Sequence, residues 1–364
     1  MKRLFTIPAW IRGEDFIPRP SGVVIRYEIR DQYLMRTTYP AEPKVRALRW
    51  GMLILIFSLT IFSGGCRWIE SGRTRSAKAN GKINVVSVIF PSYDFVRAIA
   101  GDRVNLFMLL PPGSESHSYE PSPQDIIAIK NSNLLIYPGG ENSAWVERIL
   151  DSIKNLSENM TVLNMLDLVD AVEEEIVEGM EVEGDEEEPA SDEHVWTSPQ
   201  NAKVIVAAIT DALCELDSAN ADFFRQNTTA YSAQLDELDA SFRAVVDGAK
   251  RKTIIFGDRF PFRYLADAYG LEYFAAFPGC STDTEPSAAT VAFLINKVKS
   301  EKLPVIFHIE LSNERMADTI SEATGAKKLL LHSCHNLTKN DFEKGVTYLD
   351  VQKANVVNLK EALW

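Results

Sequence analysis

Positive charge is in short supply in this chain. Against 51 Asp/Glu there are 38 Lys/Arg, a formal net charge of −13 over 364 residues. Residues 1–65 run the other way, with ten Lys/Arg against five Asp/Glu (net +5), so the part from Cys66 onward carries −13 less +5, or −18. A surface of that sign repels a phosphodiester backbone and excludes nucleic acid as a partner. Long hydrophobic runs are missing too. One apolar stretch, residues 50–62, follows Lys44, Arg46 and Arg49 and is too short to span a bilayer comfortably. Its length and basic flank are those of a signal peptide's apolar core. There is no G-x-G-x-x-G and no phosphate-binding loop, which removes support for nucleotide binding, and no His-Glu-x-x-His pair of a zinc hydrolase. Cysteine is scarce: Cys66, Cys214, Cys280 and Cys334. Cys214 lies on a helical pattern and reads as a small buried apolar group; if Cys66 is modified at the end of the leader, Cys280 and Cys334 remain as a pair.

What is present is an alternation of strand-length apolar runs and helical patterns. After a polar tether (residues 66–82), strands are expected at residues 83–90, 104–110, 134–137 and 161–166, with helices at 93–100, 123–131, 143–154 and 199–216. Residues 220–248 form a long helical pattern without internal Gly or Pro, in which Phe224, Tyr231, Leu235, Leu238, Phe242 and Val245 recur at steps of three and four. At 1.5 Å per residue it makes a rod of roughly 43 Å. The alternation then resumes, with strands at 253–256, 273–277, 305–309 and 328–331 and helices at 262–269, 288–299, 313–324 and 349–363. The expected fold class is α/β, in two lobes, each a parallel sheet flanked by helices, joined by one long rigid connector helix. The division is a leader (1–65), a tether (66–82), an N-terminal lobe (83–219), a connector (220–249) and a C-terminal lobe (250–364). Residues 173–193 hold twelve Asp/Glu and no Lys/Arg. Such a block repels itself and is expected to be loosely held.

Two junctions carry chemistry. In Gly113-Ser-Glu-Ser-His-Ser-Tyr-Glu-Pro-Ser-Pro-Gln-Asp125, His117 stands on a loop running into a helix that Ser122 caps, with Pro123 at the first position and Asp125 three residues after the cap. In Glu193-His-Val-Trp-Thr-Ser-Pro-Gln-Asn-Ala202, His194 precedes a second helix capped by Ser198 and opened by Pro199. Ligands in open α/β folds bind outside the carboxyl ends of the strands, so the two junctions can deliver two imidazoles to one cleft. A surface His in a loop is the bland reading of either junction alone; the repetition favours a metal site.

Both stretches resemble the substrate-binding lipoproteins of zinc and manganese ABC transporters, with their Gly-x-x-x-His-x-x-Glu-Pro loop and acid-x-His-x-Trp-x-x-Pro-x-Asn-Ala motif. Further matches lie at Tyr264-Leu-Ala-Asp-Ala-Tyr-Gly-Leu271 and Thr284-Glu-Pro-Ser287, and the resemblance spans residues 83–363. It implies a monomeric, extracytoplasmic receptor that binds a divalent metal, zinc over manganese, and delivers it to a permease and its ATPase. It also implies that the protein is not an enzyme, that His117 and His194 are ligands, and that the connector limits hinge closure. Ser63-Gly-Gly-Cys66 resembles a lipoprotein cleavage site, with Cys66 lipidated and Met35 a possible start. The chain departs from the family where a His or Glu ligand precedes Phe and Tyr: here Arg259 stands, and arginine cannot ligate a cation. The family's fourth ligand falls in His332-Ser-Cys-His335, most nearly at Cys334. Two arrangements follow. Cys334 or His335, with Cys280, completes a nitrogen/sulfur site that favours Zn²⁺; or Cys280 and Cys334 form a disulfide and His335 or His332 serves as third ligand. Arg259 is read as an ion pair with Asp258, or as a contact for an anion accompanying the metal. His308 reads as a core histidine, and Glu120 and Glu285 as loop organisers. Rival functions on this reading are an adhesin or scaffold on the same fold, a receptor drifted to another ligand, and a zinc hydrolase.

Overall fold

Four short apolar runs build the first sheet. The structure, a computed structural model, describes residues 81–153, 160–180, 191–281 and 286–364, with the backbone of 26–30 and 33–37. The last two segments, β1 (Arg26–Arg30) and β2 (Tyr33–Thr37), pair antiparallel within a unit comprising residues 1–73, while residues 74–364 form a second unit. Apart from this hairpin the expected leader lies outside the described residues, as do Cys66 and Glu285. Among the described residues no helix is long and apolar enough to cross a membrane.

In the first lobe β3 (Asn84–Ser87), β4 (Asn105–Met108), β5 (Leu134–Tyr137) and β6 (Thr161–Asn164) form a parallel sheet in the order β4-β3-β5-β6. Val85, Val86, Leu134, Leu135 and Ile136 are buried, as a sheet covered on both faces requires. Helices α1 (Phe90–Ala100), α2 (Pro123–Lys130), α3 (Ala144–Ile153) and α4 (Pro199–Leu216) belong to this lobe. The second lobe pairs β7 (Thr253–Ile255) with β9 (Glu272–Phe274) and β11 (Val305–His308) with β12 (Lys327–Leu330), all parallel, and a Phe256–Phe307 bridge links the two pairs. Its helices are α6 (Arg263–Tyr269), α7 (Ala288–Glu301), α8 (Arg315–Thr324), the short α9 (Lys339–Glu343) and α10 (Tyr348–Leu363).

The connector α5 (Ala221–Asp247) runs 27 residues and packs on α1 and α4 of the first lobe, while α10 returns from the second lobe to pack on α5 and α1. One apolar cluster therefore runs from Val86 through Phe242 to Leu359, joining both lobes and the connector. Tyr348 pins the return: its N–H donates to Asp94 (2.7 Å) and its hydroxyl to the Trp196 carbonyl (2.6 Å). Burial pushes the Asp94 carboxyl up, against the pull of Arg97. A core continuous across the hinge limits how far the lobes can part.

Three expectations needed correction. The run at 273–277 breaks into β9 and a separate β10 (Phe277–Pro278), which pairs with a two-residue strand β8 (Arg259–Phe260) too short to show periodicity. Helix α8 begins at Arg315 rather than Asn313, because Glu314 takes a left-handed conformation (φ 55°). The described parts of the acidic block, residues 173–180 and 191–193, are also held rather than loose. Glu173 bridges Ser191, Glu174 accepts from the Cys280 N–H (2.7 Å), and Glu175 pairs with Arg263 and accepts from the Tyr273 hydroxyl (3.0 Å). At Gly179 (φ 93°) the chain passes so close to Phe293 that a Cβ would sit 2.1 Å from its ring.

Candidate metal centre

The predicted caps form and position the loops. Ser122 and Asp125 make a reciprocal capping box on α2, and Ser198 accepts from the Asn201 N–H at the start of α4. His117 follows β4, His194 follows the acidic segment, and a loop after β12 brings a third imidazole, His335. The second-lobe loop is stitched to the first: Asn336 donates to the Pro111 and Ser114 carbonyls (2.7 and 2.9 Å), and the Gly113 N–H to Leu337 (2.8 Å).

One donor atom from each of His117, Glu193, His194 and His335 lies within 4.8 Å of the others. Four buried atoms here have no hydrogen-bond partner among the described residues: His117 Nδ1, Glu193 Oε2, His194 Nε2 and His335 Nε2. Leaving one such atom unpaired costs about 1–3 kcal/mol, so four converging on one point call for a shared occupant. The network fixes which atoms are lone pairs. Asp192 Oδ1 accepts from His194 Nδ1 (3.0 Å), leaving Nε2 bare. The Ser333 hydroxyl gives its proton to Glu310 (2.6 Å) and so accepts from His335 Nδ1 (2.8 Å), which leaves that Nε2 bare as well. Such outer partners orient ligating histidines.

Electrostatics agree with a cation cage. Burial, with Arg259 and His194 nearby, pushes His117 down to about 3, and burial with His194 and His117 holds His335 well below the ordinary histidine range; both are neutral donors. Burial works against a charge on His194, yet the Asp192 carboxylate prevails and makes this ring more basic. Burial raises Glu193 to about 7. Three imidazoles and a carboxylate suit Zn²⁺, whose nitrogen ligands lie at about 2.0–2.1 Å, so the four donors would draw in to about 3.3 Å apart.

His117 and His194, expected from their motifs, meet here, and His335 joins them. Cys334 does not. It takes a left-handed conformation (φ 68°), and its thiol turns into the core beside the Gln352 amide (3.6 Å), where burial drives its pKa far up. Cys280 also stays outside the group, its thiol kept protonated by burial and by Glu193 and Glu174. The disulfide alternative fails as well, since Cys280 and Cys334 are free. Arg259 pairs not with the Asp258 side chain but across the cleft with Glu115 (3.1 Å); Asp258 accepts only its main-chain N–H. His308 bonds the Ile309 carbonyl (3.1 Å) and His332 accepts from the Cys334 N–H (3.0 Å), so neither faces the cage. Glu193 was missed, though it adjoins His194. A signal existed in Gly139-Gly140: at Gly140 (φ 73°) a Cβ would stand 2.8 Å from Glu193 Oε2.

Two α/β lobes closing on a buried cage of nitrogen and oxygen donors define a class, the two-lobed solute receptor for a metal ion, and not an enzyme. The chain belongs to the ZnuA family, described as zinc-uptake complex component A, periplasmic, which matches residues 85–362. It is 32% identical over 320 residues to the high-affinity zinc uptake system protein ZnuA of Bacillus subtilis, covering 86% of this chain and 98% of that protein. It is 33% identical over 286 residues to the zinc-binding lipoprotein AdcA of Streptococcus pneumoniae, covering 78% of this chain and 56% of AdcA, so it spans about half of that longer relative. The Zn(II)-bound ZnuA-like domain of the pneumococcal AdcA superposes with a TM-score of 0.64 at 31% identity, over 78% of this chain and 99% of that one.

Proposed function

We propose that the protein is an extracytoplasmic receptor that captures one Zn²⁺ between its lobes and delivers it to an ABC permease driven by an ATPase. The observation that carries this reading is the set of four buried donors on His117, Glu193, His194 and His335, unpaired among the described residues. With four protein donors the coordination shell is full, leaving no position for a substrate water as a hydrolytic zinc site needs. Imidazole nitrogen favours Zn²⁺ over the harder Mn²⁺. Lipidation at Cys66 would hold the receptor at the membrane as a monomer, with lobes at 83–219 and 250–364 about the connector at 220–249. The relatives' zinc-uptake and lipoprotein names support the same assignment.

The test is elemental mass spectrometry on residues 67–364, wild type beside His117→Ala. About one equivalent of zinc in the wild type, lost in the variant, is the expected result. No stoichiometric zinc in the wild type after loading overturns the proposal.

A further inference from the structure

Arg259 stands where the family resemblance leads one to expect a ligand, and it is buried, with 7% of its surface exposed. Its guanidinium donates to Glu115 Oε1 (3.1 Å) and to the Ser281 carbonyl (3.2 Å), while Glu115 Oε2 accepts from the Ser118 N–H (2.9 Å). Asp258 is turned to the backbone, accepting from the N–H groups of Arg259 (2.9 Å) and Ile309 (3.3 Å). Among the described residues Glu115 is therefore the side-chain counter-charge of Arg259.

The pair occupies a particular place. A cavity of about 350 Å³ opens beside the cage, lined by Glu115, His117, Arg259, Ser312 and Asn313. A narrower pocket, sharing Glu115, His117 and Arg259, continues to His335 and Glu310. The ion pair stands where the wide space meets the narrow one. A guanidinium keeps its charge at every accessible pH, and a buried charge is poorly screened by salt. It repels an arriving divalent cation, whereas the carboxylate attracts the cation and offsets the guanidinium.

We propose that Arg259 and Glu115 form a charged gate to the cage, Arg259 weakening and Glu115 strengthening the hold on the cation, so that a four-donor site still releases its ion. This rests on the zinc reading above. The two halves of one ion pair then act with opposite sign. A strap that merely closed the lobes would lose affinity whichever half was removed.

The experiment is zinc affinity by chelator competition, and zinc release by stopped flow, on residues 67–364. Zinc content of the wild type is measured on the same sample. Arg259→Gln should bind zinc about tenfold or more tighter and release it more slowly. Arg259→Met, which keeps the aliphatic packing, should do the same, and Arg259→Lys should stay near wild type. Glu115→Gln should bind about tenfold more weakly and release faster. If the charge-removing variants at both positions weaken binding, or neither changes it, the gate is wrong although the receptor reading stands. A wild type without zinc removes both.

Discussion

The Trp196 indole N–H donates to the main-chain carbonyl of Ser333 at 2.7 Å, a buried bond from the first lobe to the second-lobe loop that presents His335. Ser333 in turn orients the His335 ring, and Trp196 packs edge-on against His335 and His194 (centroids 5.0 and 5.6 Å). The tryptophan of the His194 motif is thus a strut between two donors supplied by different lobes. Trp196→Phe keeps most of the packing but leaves a buried carbonyl unpaired, which costs about 1–3 kcal/mol. The expected outcome is a lower melting temperature together with weaker zinc binding, measured by thermal denaturation and chelator competition.

His335 and Cys334 are neighbours with opposite fates. Zinc-site binding energies of about 10–16 kcal/mol, spread over four donors, come to about 3 kcal/mol each, so His335→Ala should weaken zinc binding about a hundredfold or more. Cys334→Ala should lower stability, because the thiol is packed in the core, and leave zinc stoichiometry at the wild-type level. Chelator competition and elemental analysis on both variants check this, and a zinc loss confined to the cysteine variant would reverse the assignment.

The contrast also shows where the sequence was legible. Periodicity found the longer helices and most parallel strands of both lobes, because apolar faces must be buried whatever the details, and missed the two-residue β8 and the five-residue α9, which are too short to repeat. The capped junctions placed His117 and His194 because Ser122, Ser198 and the prolines act within a few residues of each imidazole. Choosing between Cys334 and His335 depended on one left-handed residue, a tertiary strain that alternation along a strand cannot reveal. Glu193 was hidden for a similar reason: its carboxylate lies against Gly140, where a Cβ would intrude, and accepts from Asn142, both some fifty residues away. The Arg259–Glu115 pair joins residues 144 apart and left no local trace.

Glu193 makes the site pH-sensitive. Its carboxyl, raised to about 7 by burial, must lose its proton to ligate. Below that value protons compete with the metal, and apparent affinity should fall by up to about tenfold per pH unit from this group alone; above it the dependence flattens. Glu193→Gln should bind more weakly at pH 8 and lose this part of the slope. In the ion-free protein the sign is opposite. A carboxyl whose pKa rises on folding stabilises below its unfolded value and loses that contribution as pH rises through about 7. Zinc should therefore raise the melting temperature more at pH 8 than at pH 5.5.

The acidic segment is anchored through its described residues. Glu174 and Glu175 hold Cys280, Arg263 and Tyr273, and the Tyr264 hydroxyl donates to the main-chain carbonyl of Asp192 (2.8 Å), the residue whose carboxylate orients His194. Deleting residues 181–190 should leave zinc affinity within about twofold, since the four donors of the cage, His117, Glu193, His194 and His335, all lie outside that stretch. Deleting 173–180 should lower both stability and affinity. Thermal melts and competition titrations on the two deletions distinguish the parts.

X-ray absorption spectroscopy of the zinc-loaded protein reads the three imidazoles and one carboxylate around the ion without intermediary. The expected first shell is about four nitrogen and oxygen scatterers near 2.0 Å, with imidazole outer-shell features. A sulfur scatterer at about 2.3 Å would return Cys280 or Cys334 to the site and contradict it.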